Sequence, residues 1–105
     1  MKIAANHALE NLADSGRLFI NLFAHGTLKI ELYRPDKVDL QNPHTQDEAY
    51  IVISGSGEFI CGEERFTFEP NDFLFAPAGV VHRFENFSED FVTWVIFYGP
   101  EGGEK

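Results

Sequence analysis

Between Arg17 and Tyr98 the chain is punctuated at short, even intervals by turn chemistry. The breaks are His25-Gly26, Pro35-Asp36-Lys37, Ser54-Gly55-Ser56-Gly57, Gly62-Glu63, Glu69-Pro70-Asn71-Asp72, Pro77-Ala78-Gly79 and Ser88-Glu89-Asp90. Glycine, proline, asparagine and aspartate each end an extended run for their own steric or hydrogen-bonding reason. The intervals between these breaks suit strands of four to eight residues and are too short for ordinary helices. Leu18, Ile20 and Leu22 alternate with Phe19, Asn21 and Phe23, and Leu28, Ile30 and Leu32 alternate with Lys29, Glu31 and Tyr33. That period of two predicts a hairpin. Further strands are predicted over 49–54, 57–61, 64–68, 73–76, 81–87 and 91–98. About eight strands so spaced indicate an all-β sandwich or barrel. Residues 1–16 differ: Leu9 and Leu12 share a helical face and Asp14-Ser15-Gly16 ends it, predicting a short N-terminal helical lead. The glycine-rich segment 99–105 is expected to be a mobile C-terminal tail.

At 105 residues the chain is read as one domain, 1–105. Its fifteen aromatics, eleven of them Phe, supply core bulk that a short chain otherwise lacks. A net charge of −9 opposes polyanions, so neither nucleic acid nor an anionic membrane surface is an expected partner. The single cysteine, Cys61, precludes an intrachain disulfide and reads as a small buried hydrophobe in a strand. With no long apolar run and no apolar leader, the expected location is cytoplasmic. The stretch Phe91–Tyr98 is apolar at both parities except at Thr93, so both its faces should be covered. A second copy of the chain would supply that cover in a homodimer; otherwise the chain's own amino or carboxyl tail must.

Of four histidines, His7 and His25 fall in the lead and in a turn, where solvation is expected. His44 and His82 each enter a strand, and Glu48 lies four residues beyond His44. If Glu48 points inward, Tyr50 and Val52 share its face, and Phe84 follows His82 on its own. Two imidazoles and a carboxylate meeting in an apolar cavity make a transition-metal site of the facial type, suited to iron and open to zinc. The alternative is an internal hydrogen-bonded cluster. Asp47 alternates to the face opposite Glu48, so paired-carboxylate chemistry is not expected there.

The segment from Asn71 to Asn86 resembles the second cupin motif, G-x5-P-x-G-x2-H-x3-N. Pro77, Gly79, His82 and Asn86 all stand in place, and Asn71 replaces the opening glycine. The earlier segment resembles the first cupin motif, G-x5-H-x-H-x3-E-x6-G, with His44, Glu48 and Gly55 in position, Asn42 at the first histidine and Asp36 at the first glycine. The resemblance is to a small single-domain cupin and spans roughly residues 38–98. It implies a double-stranded β-helix (jelly-roll) barrel and transfers His44, Glu48 and His82 as metal ligands. Gln41, Asn42, Gln46 and Asp47 are candidates for a further ligand or a supporting contact, and Tyr50 and Phe84 for the pocket lining. The implied cofactor is a divalent transition metal (Fe, Mn, Zn or Ni), and the implied partner a small polar metabolite. Two functions follow from the resemblance: a metal-dependent enzyme of dioxygenase or isomerase type, or a non-catalytic module binding a small molecule or metal.

Overall fold

A computed structural model describes residues 1–39 and 43–105. One helix, α1 (Ala5–Ser15), precedes eight strands: β1 (Phe19–His25), β2 (Leu28–Tyr33), β3 (Asp47–Ser54), β4 (Gly57–Cys61), β5 (Glu64–Phe68), β6 (Phe73–Ala76), β7 (His82–Glu85) and β8 (Val92–Tyr98). They form a five-stranded sheet ordered β1-β2-β8-β3-β6 and a three-stranded sheet ordered β5-β4-β7. Each paired neighbour is antiparallel. The fold is the mostly-β jelly-roll barrel that the turn spacing and the two motifs predict. Among the described residues no helix is long and apolar enough to cross a membrane.

Strand register sorts the side chains. Glu48 pairs with Phe97 and Ala76, and Phe97 pairs in turn with Lys29, which makes one row across the sheet. Two residues on, Tyr50 pairs with Val95 and Leu74, and Val95 with Glu31. Side chains at even offsets share a face, so Lys29, Glu31 and Tyr33 lie on the inner face with Glu48, Tyr50 and Val52. The apolar residues of β2, Ile30 and Leu32, therefore face outward.

That outward face is dry because α1 covers it. Ala8 and Leu12 are buried against Leu32 and Val92, with Ile20, Leu22, Ile53 and Trp94 packed around them. The helix has no side-chain N-cap and no acidic residue in its first turn. At 11 residues it would be marginal in water alone, so its packing holds it. Gly16, at φ 66°, ends it. The second cover over β8 thus comes from the chain's own amino-terminal lead, and this strand's two apolar faces are no argument for a second copy.

Between the sheets Tyr50, Phe59, Phe68, Phe84 and Phe91 form an aromatic core, with successive ring centroids 4.7–5.6 Å apart. Gly55 closes one end. Its φ is +87° and a Cβ there would meet the Phe91 Cα at 2.5 Å, so no other residue fits this approach. Asn71, standing where the motif has glycine, adopts φ 74°, the left-handed conformation asparagine tolerates best after glycine.

Hydrogen bonds join the segment 99–105, read from the sequence as a mobile tail, to the loop before β3 and to β3 itself. The Gly102 N–H donates to the Thr45 carbonyl at 2.6 Å and the Glu104 N–H to Asp47 Oδ2 at 2.9 Å. Asp47 Oδ1 accepts from the Ala78 N–H at 2.9 Å, so one carboxylate joins β3, the β6–β7 turn and the carboxyl end. These donors, Glu104 first and Ala78 second, hold the Asp47 carboxyl below its usual 3.8. A lowered folded value stabilises above the unfolded value and is lost as pH falls through the folded one. Acidification from pH 5 to below 3 is therefore expected to lower the protection of the Glu104 and Ala78 amides, read by NMR as exchange relative to an unprotected amide at the same pH. In Asp47→Ala both amides should exchange fast even at pH 5.

Candidate functional site

Strands β3 and β7 carry Glu48 and His82 to the inner face, where both are buried. The Tyr50 hydroxyl donates to Glu48 Oε1 at 2.5 Å, fixing the carboxylate from two residues along the same strand. His82 Nδ1 lies 2.9 Å from the Val80 carbonyl and donates its proton there. Its Nε2 is 2.7 Å from Glu48 Oε1, a close contact off the hydrogen-bonding axis. Glu48 Oε2 and His82 Nε2 are both buried without a hydrogen-bond partner among the described residues. With Nδ1–H committed to Val80, a neutral His82 turns a lone pair toward a carboxylate. Only a proton or a cation relieves that opposition.

His44 completes the group from the loop before β3. Its Nε2 is 3.7 Å from Glu48 Oε2, its ring stands edge-on to Phe97 at 4.6 Å, and its centroid is 6.1 Å from that of His82. The His44 side chain is 41% exposed, so it forms the solvent side of the cluster. Among the described residues no three His, Cys, Asp or Glu side chains already converge on one ion position. Burial is the largest influence on His82 and disfavours its charged form. The contact with Glu48, the Val80 carbonyl and the charges of Glu48 and Asp39 together outweigh it and raise the pKa above 6.5.

The structure places His44, Glu48 and His82 beside one another and gives the other candidates different settings. Gln46 donates to the Thr27 and Gly99 carbonyls and also lines the cavity beside His44, whereas Asp47 holds the backbone contacts described above. Gln41 and Asn42 lie outside the described residues. Tyr50 joins the site through its hydroxyl, while its ring and that of Phe84 belong to the fully buried core and do not line the cavity. Asn86, the last position of the second motif, leaves the inner face at φ 51° and donates to Glu58.

Beside the cluster opens a cavity of about 550 Å³, floored by β1, β2 and β8 and rimmed by His44. Glu31, Lys29 and Tyr33 line it with Phe19, Val95 and Phe97. Sequence reasoning passed over these β2 residues, because the polar half of an alternating strand reads as its solvent side. Burial raises the Glu31 pKa most, Glu48 adds to the rise, and Lys29 partly opposes it. The Tyr33 hydroxyl donates to the buried Asp39 at 2.6 Å, and Asp39 also accepts from the Phe84 N–H. Burial first, then that hydrogen bond and the nearby carboxylates, push Tyr33 far above the usual phenol range.

The family model described as "Cupin domain" matches residues 29–98. An uncharacterised protein of Streptomyces coelicolor is 34% identical over 94 residues, covering 88% of this chain and 89% of that protein. Among solved structures, KdgF from Halomonas sp. superimposes with a TM-score of 0.66 at 18% identity, over 75% of this chain and 76% of that one. The DMSP lyase DddQ from Ruegeria pomeroyi does so with a TM-score of 0.66 at 22% identity, over 77% of this chain and 46% of that one. At such identities these structures share the fold.

Proposed function

The chain belongs to the cupin-domain family, and from that premise we propose that it holds a divalent transition metal on Glu48, His82 and His44 and acts on a small polar metabolite in the adjoining cavity. The observation that carries this reading is the buried pair of partnerless atoms, Glu48 Oε2 and His82 Nε2. A borderline imidazole nitrogen and a hard carboxylate oxygen together suit Fe, Mn, Zn or Ni. The surrounding groups are those that orient ligands: the Val80 carbonyl fixes the His82 tautomer and the Tyr50 hydroxyl fixes the Glu48 carboxylate. When bound, the cation supplies Lewis acidity toward a substrate oxygen, as an isomerase needs, or, if iron, dioxygen chemistry. The chain's own part is to exclude water with Phe97, Val95 and the core aromatics and to keep the cavity side of the cluster open. Cation titration of metal-free protein tests this. At 100 times its dissociation constant a cation should raise stability by about 2.7 kcal/mol; an unchanged melting temperature with Mn²⁺, Fe²⁺, Ni²⁺ and Zn²⁺ defeats it.

The second reading is a non-catalytic module that binds a metal or small molecule. It is favoured by Asn42 standing at the first histidine position of the first motif, which leaves one imidazole fewer than the motif provides. Such a module shows ligand-dependent stabilisation without turnover; a rate that depends on His82 excludes it.

We also propose a homodimer, now on a different surface. Ile51, Phe73 and Phe75 are exposed on the outer face of β3 and β6, beyond the reach of α1, and β6 is the sheet's edge strand. An edge strand with open backbone groups and apolar neighbours suits a self-complementary two-fold contact. Wild-type protein should sediment as a dimer and Phe73→Glu as a monomer that keeps the wild-type far-UV circular dichroism spectrum, because Phe73 is 63% exposed within one chain.

A further inference from the structure

We infer that Glu31 is a specificity-determining residue of the cavity, receiving hydroxyl groups at the far end of a ligand whose 2-hydroxy-carboxylate head lies at the His44–Glu48–His82 end. The inference rests on the cation reading for the head of the ligand and on Glu31 alone for its tail. Glu31 stands in the middle of β2, opposite Val95, one row along the inner face from Glu48. It lines the cavity between Lys29 and Tyr33 and beside Val95, and although the Lys29 charge acts on it, among the described residues its carboxyl has neither a hydrogen bond nor an ion pair within 4 Å. A half-buried carboxyl without a partner is retained at a cost unless something in the cavity donates to it. Hydroxyls satisfy it, since an ionised carboxylate accepts and does not donate. A second carboxylate at that end would face both Glu31 and, beyond it, Glu48. Lys29, also in the lining, can meet the remaining hydroxyl oxygens. The matching ligand is a small acid with a hydroxylated tail and one carboxylate.

The probes are D-gluconate, with a 2-hydroxy acid head and hydroxylated tail; lactate, the head alone; and D-glucarate, a second carboxylate on the same tail. Binding is read by NMR titration of the β2 and β8 amides, with Mn²⁺ affinity measured separately by electron paramagnetic resonance. Wild-type protein should bind gluconate about tenfold or more tighter than lactate and glucarate, the worth of one charge-assisted hydrogen bond. Glu31→Gln, close in shape and free of the charge, should reduce the discrimination against glucarate to within about threefold, while Mn²⁺ still binds, weakened only by the loss of one nearby charge. Glu31→Ala should also lose the preference over lactate. Equal binding of the three acids by wild-type protein, no binding of gluconate, or discrimination that survives in Glu31→Gln overturns the inference. If Mn²⁺ does not bind, the cation reading fails by itself. In that case a neutral polyol, erythritol, which needs no cation for a head group, tests Glu31 by itself: binding that is lost in Glu31→Ala supports its role, and no binding to the wild type overturns it.

Discussion

Glu48→Gln should abolish stabilisation by divalent cations while leaving the metal-free protein folded and at least as stable as wild type. The carboxylate is fully buried beside an imidazole whose Nδ1–H is already committed to Val80. With its amide nitrogen at the Oε1 position, glutamine donates one N–H to the His82 lone pair and the other to the Tyr50 hydroxyl oxygen, so the contact is made without charge. Replacing a buried charged pair by a neutral, well-paired one is often neutral or stabilising. His82→Ala should behave oppositely. It leaves the Glu48 charge buried opposite a void, an arrangement that costs about 3–5 kcal/mol. The cation response should vanish in both variants, although their stabilities move in different directions. A cluster serving only the fold would give the same stability changes but no cation response in the wild type. Differential scanning calorimetry with and without Mn²⁺ separates the cases.

Phe84→Ala is expected to be the most destabilising single truncation in the core. The ring is 1% exposed and lies 4.7–5.6 Å, centroid to centroid, from Tyr50, Phe59, Phe68 and Phe91, bridging the two sheets. Truncating a buried Phe to Ala costs about 3–5 kcal/mol, through lost transfer energy and an unfilled cavity. Domains of this kind have only about 5–15 kcal/mol in total. At about 4–8 °C per kcal/mol, the melting temperature should fall by at least about 12 °C. Thermal and urea denaturation measure this, with an unchanged urea slope showing that the compactness of the two states is preserved. A fall of less than about 5 °C would mean that the aromatic cluster does not hold the sheets together.

Much of this architecture is legible in the sequence because turns are local chemistry. Gly55, Gly62, Asn71 and Gly79 take positive φ where their types permit it, and these residues delimit the strands. The grouping of His44, Glu48 and His82 is legible from spacing, since alternation on β3 sets Glu48 on the face of Tyr50 and Val52. The role of Asp47 is not. It was set apart from Glu48 by alternation, but that its carboxylate would receive the amides of Ala78 and Glu104 depends on two segments 31 and 57 residues away.

The faces of β2 mark the division most clearly. Local alternation establishes that Ile30 and Leu32 lie on one side and Lys29, Glu31 and Tyr33 on the other, because a strand's side chains must alternate. It does not say which side is the interior. Packing of α1 against Leu32, Ile20 and Trp94 settles that: the apolar side is buried outside the barrel, and the polar side lines the cavity beside Glu48. The sequence alone determined the turns and the strands, each a matter of residue type and spacing. Only the tertiary structure decided what packs on the outer side of β2 and β8, what the carboxyl end hydrogen-bonds to and that Glu31 lines the cavity beside His44. Those outcomes depend on contacts between segments far apart in the chain, which no local pattern encodes.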